Sequence, residues 1–181
     1  MPPKSIVCDT TLLSYFAHGG IFHILHMLFA GRLYVPPTVA GLEALRSTAV
    51  RQQVAAALDA GWLVRVDMSP SELAVAQQIR QDFGVHAGEA EAIALAAKRG
   101  LILVCDEKPG RAAAQRLGVE FTGSMGVLYK AVETGKLTVG EADRAIARMR
   151  AARQRLPVAS CIQVKHSVEK NPTRAQWLKR L

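Results

Sequence analysis

Leu103-Val104-Cys105-Asp106 repeats a phrase that stands near the start of the chain as Ile6-Val7-Cys8-Asp9: two apolar residues, a cysteine and an aspartate. Each copy closes a short apolar run and is followed by a polar turn, so each reads as a strand with a carboxylate just past its carboxyl end. Leu33-Tyr34-Val35, Trp62-Leu63-Val64-Arg65-Val66 and Val119-Glu120-Phe121 read as three further strands. Helical patterns lie between them, over residues 21–29, 37–46, 49–60, 70–83, 88–99, 108–117 and 124–133. Ser69-Pro70-Ser71-Glu72 and Thr138-Val139-Gly140-Glu141 fit the capping box, in which hydroxyl and carboxylate satisfy each other's free backbone N–H groups. Gly61, Gly84, Gly100, Gly118 and Gly135 stand where helices should end. Alternating strands and helices, with the strands apolar on both faces, predict an α/β fold with a mainly parallel sheet covered by helices on each side.

The 181 residues are 50% hydrophobic and 21% charged, which suits one domain with a real core and excludes global disorder. No apolar run approaches the roughly 18 residues of a membrane span. The opening Met1-Pro2-Pro3-Lys4-Ser5 lacks the order of a signal peptide, so a cytoplasmic protein without a membrane partner is expected. Cys8, Cys105 and Cys161 are too widely spaced for a disulfide framework or a zinc knuckle. The net charge of +8 is unevenly placed. Residues 1–143 hold 13 Lys/Arg against 14 Asp/Glu, whereas residues 144–181 hold 10 against the single Glu169. We therefore expect an α/β domain over residues 1–156 and a basic arm over 157–181. Such an end favours a polyanionic partner. Arg144, Arg148 and Arg155 recur at i, i+4 and i+11, near one face of a continuous helix, and form the expected phosphate grip. Trp177, between Arg174 and Lys179, is a candidate for stacking on bases.

In an open parallel sheet, ligands bind beyond the carboxyl ends of the strands, so Asp9 and Asp106 should face one crevice. Gly88-Glu89-Ala90-Glu91-Ala92-Ile93-Ala94-Leu95-Ala96 supplies a third acidic element, with Ala90, Ile93, Ala94 and Ala97 as its buried stripe. Asp9, Asp106 and Glu89 or Glu91 offer hard oxygen ligands with no His or Cys cluster, which suits Mg²⁺ or Mn²⁺. Metals held this way activate water and neutralise charge on a phosphodiester. His23 and His26 share a helical face but lack an evident third ligand, and Trp62 reads as core. No phosphate loop or nucleophile elbow is present.

From Ile6 to about Val132 the chain resembles the PIN domain family of metal-dependent ribonucleases, especially its VapC-toxin-related branch. The resemblance is carried by Ile6-Val7-Cys8-Asp9-Thr10, Val35-Pro36-Pro37-Thr38-Val39, the segment Gly88 to Ala96, Leu103-Val104-Cys105-Asp106-Glu107-Lys108 with Arg111, and Thr122-Gly123-Ser124-Met125-Gly126-Val127-Leu128. It implies a three-layer α/β/α sandwich around a central, mainly parallel sheet of about five strands, with an acidic pocket for one or two Mg²⁺ or Mn²⁺. It places Asp9, Glu89 and Asp106 in that pocket, with Glu91 and Glu107 as neighbours. Leu42 occupies a position where the family commonly has Glu, and Glu43 stands one step on, turned by about 100° on a helix. The Thr122-Gly123-Ser124 segment offers hydroxyls where relatives often carry a further Asp. The expected function is a metal-dependent endoribonuclease, as a dimer and as the toxin of a toxin–antitoxin pair. The alternative is a nucleic-acid-binding module of the same fold that no longer cleaves. A phosphate-handling regulator of receiver or dehalogenase type fits less well, since no Asp stands two residues beyond Asp9.

Overall fold

A computed structural model describes residues 4–41 and 45–170. Five strands, β1 (Ile6–Cys8), β2 (Leu33–Val35), β3 (Leu63–Arg65), β4 (Ile102–Val104) and β5 (Phe121–Thr122), form one sheet in the order β3-β2-β1-β4-β5. Every pairing is parallel. The helices are α1 (Thr10–His18), α2 (Phe22–Phe29), α3 (Pro37–Ala40), α4 (Thr48–Asp59), α5 (Pro70–Phe83), α6 (Ala87–Arg99), α7 (Lys108–Arg116), α8 (Ser124–Glu133), α9 (Val139–Ala151) and α10 (Cys161–Glu169). Successive strand residues point to opposite faces. Ile6, Cys8, Leu33, Val35, Ile102 and Val104 accordingly enter a core with α1, α2, α4, α8, α9 and α10. Val7, Leu103 and Cys105 enter a second core with α5, α6 and α7. The result is the expected three-layer α/β/α sandwich. None of the described helices is long and apolar enough to cross a membrane.

The strongest local signals translate directly. Both capping boxes form, at Ser69 with Glu72 and at Thr138 with Glu141. Gly84 and Gly100 close α5 and α6 in the left-handed conformation. α6 buries Ala90, Ala92, Ile93, Ala94, Leu95 and Ala96, more than the single expected stripe, because it is wedged between the sheet, α5 and α7.

One helix and two helical boundaries ahead of α10 differ from the sequence reading. α1 is absent from that reading: its two threonines are weak helix formers, and Asp9 is both its N-cap and a strand-end carboxylate. The helix expected over 37–46 stops at Ala40, so Arg46 lies in the coil that leads into α4. α9 ends at Ala151 in a Schellman turn, with Gln154 N–H donating to Met149 C=O and Arg153 N–H to Arg150 C=O. The left-handed residue of that turn is Arg153, at φ 59, where glycine is usual; an L side chain there costs about 1–2 kcal/mol. The helical face proposed for Arg144, Arg148 and Arg155 is thereby broken, because Arg155 lies beyond the turn.

α10 is the first element of the segment expected as a basic arm. Asp143 on α9 accepts from the Cys161 N–H at 2.7 Å, and Cys161 and Val164 are buried against α8 and α9.

Candidate metal and nucleic-acid site

The strand order reverses between β1 and β4, which places the chain's topological switch point there. Asp9 follows β1 and Asp106 follows β4, so both carboxylates stand at the carboxyl edge of that junction. The register adds a detail that the repeated phrase conceals. Cys8 pairs with Val104, so Asp9 is level with Cys105, and the two phrases are one residue out of step. A slip of one residue turns a side chain to the other face. Cys8 therefore packs in one core and Cys105 in the opposite one, where its thiol donates to Glu89 Oε1 at 3.2 Å.

Each carboxylate is held by its own neighbours. Asp9 caps α1, accepting from Thr11 N–H at 2.9 Å and Thr11 Oγ1 at 3.1 Å. Asp106 accepts from Ser124 N–H and, at 2.5 Å, from Ser124 Oγ at the start of α8, with Arg111 Nη2 at 3.6 Å from Oδ1. Glu89, buried in the first turns of α6, rests on the Cys105 thiol beside Gly110 of α7. Burial pushes the Asp9 carboxyl up to about 7, helped by repulsion from Asp106 and Glu89 and opposed by the Thr11 bonds. Glu89 is raised by burial, against the Cys105 bond, with Glu107 and Asp106 adding repulsion. Asp106 is raised by burial, against the pull of Ser124 and Arg111. Burial also pushes the Cys105 thiol far up, so it stays a protonated donor. Three interacting carboxylates, each reluctant to ionise, thus repel one another, with only Asp106 partly offset by Arg111.

Among the described residues no group of three or more His, Cys, Asp and Glu side chains stands ready to hold a metal ion. The donor set nevertheless fits one: oxygen donors, mutual repulsion that a cation relieves, and no lysine among them. Glu107, the exposed N-cap residue of α7, borders the same groove. Glu91 is spent elsewhere. Its oxygens accept from Thr38 N–H at 3.0 Å and Thr38 Oγ1 at 2.5 Å, tying α3 to α6. Glu91→Gln should therefore leave any metal-induced rise in melting temperature intact. Thr38→Val, which strips the hydroxyl donor from a part-buried carboxylate while keeping the backbone N–H, should cost about 1–3 kcal/mol in urea melts. A metal effect abolished by Glu91→Gln would return Glu91 to the ligand set. Glu43, Leu42 and Trp177 lie outside the described residues.

Asp9, Glu89, Glu107, Thr38, His86 and Arg46 line a groove of about 660 Å³. An adjoining cavity of about 390 Å³ shares Thr10, Thr11, Arg46 and Glu107 with it and continues to Tyr15, His18, Arg153 and Arg155. Arg148 instead lies against Gly20, and Arg144 beside Gly140; neither lines the groove. His23 and His26 border a separate shallow groove, where His26 stacks on half-buried Trp62 at 5.1 Å rather than facing a ligand set. Sequence reasoning passes over Cys105 as Glu89's partner, and also His86, which lines the groove and favours the charged form of Glu89. It sees Ser124 only as a missing Asp. A hydroxyl at the first position of a helix, facing a strand-end Asp, was the available signal.

A family model, DUF3368, described as a PIN domain, matches residues 5–170. None of the curated proteins matches the chain.

Proposed function

The chain belongs to the PIN domain family, a nuclease fold whose members are generally dependent on divalent metal, and from that premise we propose that it is an endoribonuclease using Mg²⁺ or Mn²⁺. The observation that carries this reading is the cluster of Asp9, Glu89 and Asp106 at the β1–β4 switch point, each with a raised proton affinity. These three would hold the cation, with Glu107 beside them. A cation held there would supply positive charge against that of the phosphodiester and would lower the pKa of a bound water.

The chain's own residues organise the rest. Thr11 fixes the Asp9 carboxylate, and the Cys105 thiol orients Glu89. Ser124 and Arg111 fix Asp106, and Arg111 is itself anchored by a 2.9 Å bond from Nε to the Cys105 carbonyl. The reading extends to a cytoplasmic homodimer that is the toxin of a toxin–antitoxin pair, with residues 157–181 as a basic arm; its support is the resemblance and the concentration of positive charge after Asp143.

A second reading, a nucleic-acid-binding module that does not cleave, is favoured by one observation. The oxygens of Asp106 are already occupied by Ser124 and approached by Arg111. Incubation with a mixed RNA pool in Mg²⁺ or Mn²⁺ separates the two. Endonucleolytic fragments that vanish in EDTA are expected; an intact pool at every metal tested leaves the binding module.

A further inference from the structure

The groove is electrically two-sided. Asp9 and Glu89 line only one half and Arg153 and Arg155 only the other, with Thr10, Thr11, Arg46 and Glu107 common to both. The carboxylate end by itself repels a phosphodiester chain. A strand can lie there only if neighbouring groups draw it in. We propose that the arginine-lined cavity is a phosphate subsite, which takes the backbone phosphate of a single-stranded RNA flanking the position presented to the carboxylates. The assignment deepens the ribonuclease reading and rests on it for the choice of strand.

Three observations support the subsite. Among the described residues, Arg46, Arg153 and Arg155 form no ion pair with a carboxylate, whereas Arg99 and Arg111 do. Among the described residues no carboxylate therefore competes for their guanidinium groups, which match the two-oxygen face of a phosphate. Arg153 is the single non-glycine residue with positive φ among those described, in a turn whose hydrogen bonds glycine would complete with less strain. A strained backbone that keeps a cation in place of glycine points to a use for the side chain. Finally, Tyr15, on the helix that Asp9 caps, donates its hydroxyl to the Arg155 carbonyl at 2.9 Å. The arginine turn is thus pinned at a set distance from the carboxylates.

The test is binding of a short labelled oligouridylate in EDTA, followed by anisotropy over a range of salt concentrations, with the full-length protein. Arg153→Gln/Arg155→Gln should weaken binding about tenfold or more and flatten the salt dependence by about 0.7 for each phosphate no longer gripped. Arg144→Gln/Arg148→Gln, which removes the same charge outside the groove, should leave binding near wild type. Arg153→Gly is the sharper variant. It should weaken binding while raising the melting temperature by roughly 2–4 °C, since the strain goes together with the guanidinium. A lower melting temperature for Arg153→Gly would make the side chain structural and overturn the proposal. So would equal losses in the two double variants, or unchanged binding with a disrupted oligomer in sedimentation. Inorganic phosphate that displaces the strand completely at low millimolar concentration would make this a free-anion site and overturn the strand assignment. Wild-type cleavage of RNA, measured separately with Mn²⁺, decides the nuclease reading: cleavage alongside unaffected binding in Arg153→Gln/Arg155→Gln sinks the subsite alone.

Discussion

Asp9→Asn should abolish the metal-induced rise in melting temperature and reduce RNA cleavage on the order of a hundredfold or more. In the same protein without metal it should raise stability at pH 8. The amide keeps an oxygen for the Thr11 N–H, so the cap on α1 survives. What disappears is a buried charge facing Asp106 and Glu89. The sign follows from linkage. The Asp9 carboxyl lies at about 7 in the folded chain against an ordinary value of 3.8, so the folded protein holds the extra proton. Its contribution is fully present below about pH 4 and is lost as pH rises towards 7. At roughly 1.36 kcal/mol per pH unit, that interval corresponds to about 4 kcal/mol as an upper bound. Glu89 and Asp106 shift in the same direction and add to the trend. Glu72 runs the opposite way: the Arg99 guanidinium holds it at about 2, so its contribution is present above its ordinary 4.5 and is lost as pH falls from there towards 2. Thermal melts of wild type and Asp9→Asn from pH 4 to 8, with and without Mn²⁺, check both parts. Parallel curves with equal metal shifts would remove Asp9 from the site.

Gly110→Ala should damage the site far more than the fold. A Cβ at that position would overlap Glu89 Oε1 and fall 2.8 Å from Cys105 Sγ, closer than atoms can approach. The Glu89 carboxylate must move, and with it the hydrogen bond that orients it. Because the clash meets the end of a side chain rather than backbone, the stability loss should stay near 1–3 kcal/mol. Cleavage should fall on the order of a hundredfold, since a displacement of about 1 Å at a reacting centre has that effect. Gly126→Ala, on the neighbouring helix α8, serves as the comparison for helix propensity. Normal RNA cleavage and metal response in Gly110→Ala would show that Glu89 does not act from its present position.

Much of the architecture is legible because its signals are local. The capping boxes at Ser69 and Thr138 place α5 and α9 at their starts, and the glycines at 84 and 100 mark true ends. α1 escapes because its strongest signal, Asp9, serves two purposes at once. The end of α9 escapes because its turn uses Arg153 instead of glycine, which moves Arg155 off the expected helical face. Both misses fall beside the groove, where local preference gives way to what the side chains do there.

The chain's own order of residues settled the α/β class, the parallel sheet and the placing of carboxylates after two of its strands. Apolar runs, helical periodicity and caps are properties of a few adjacent residues, and so they can be read without knowing what lies across the sheet. Tertiary structure alone decided that β1 and β4 are neighbours with their repeated phrases one residue out of step. It likewise decided that Cys105 serves Glu89 while Cys8 is core, that Glu91 belongs to Thr38, and that Arg46, Arg153 and Arg155 line one cavity. Register and long-range packing depend on how distant surfaces fit together, and a shift of one residue in a strand reverses which side chain faces which layer.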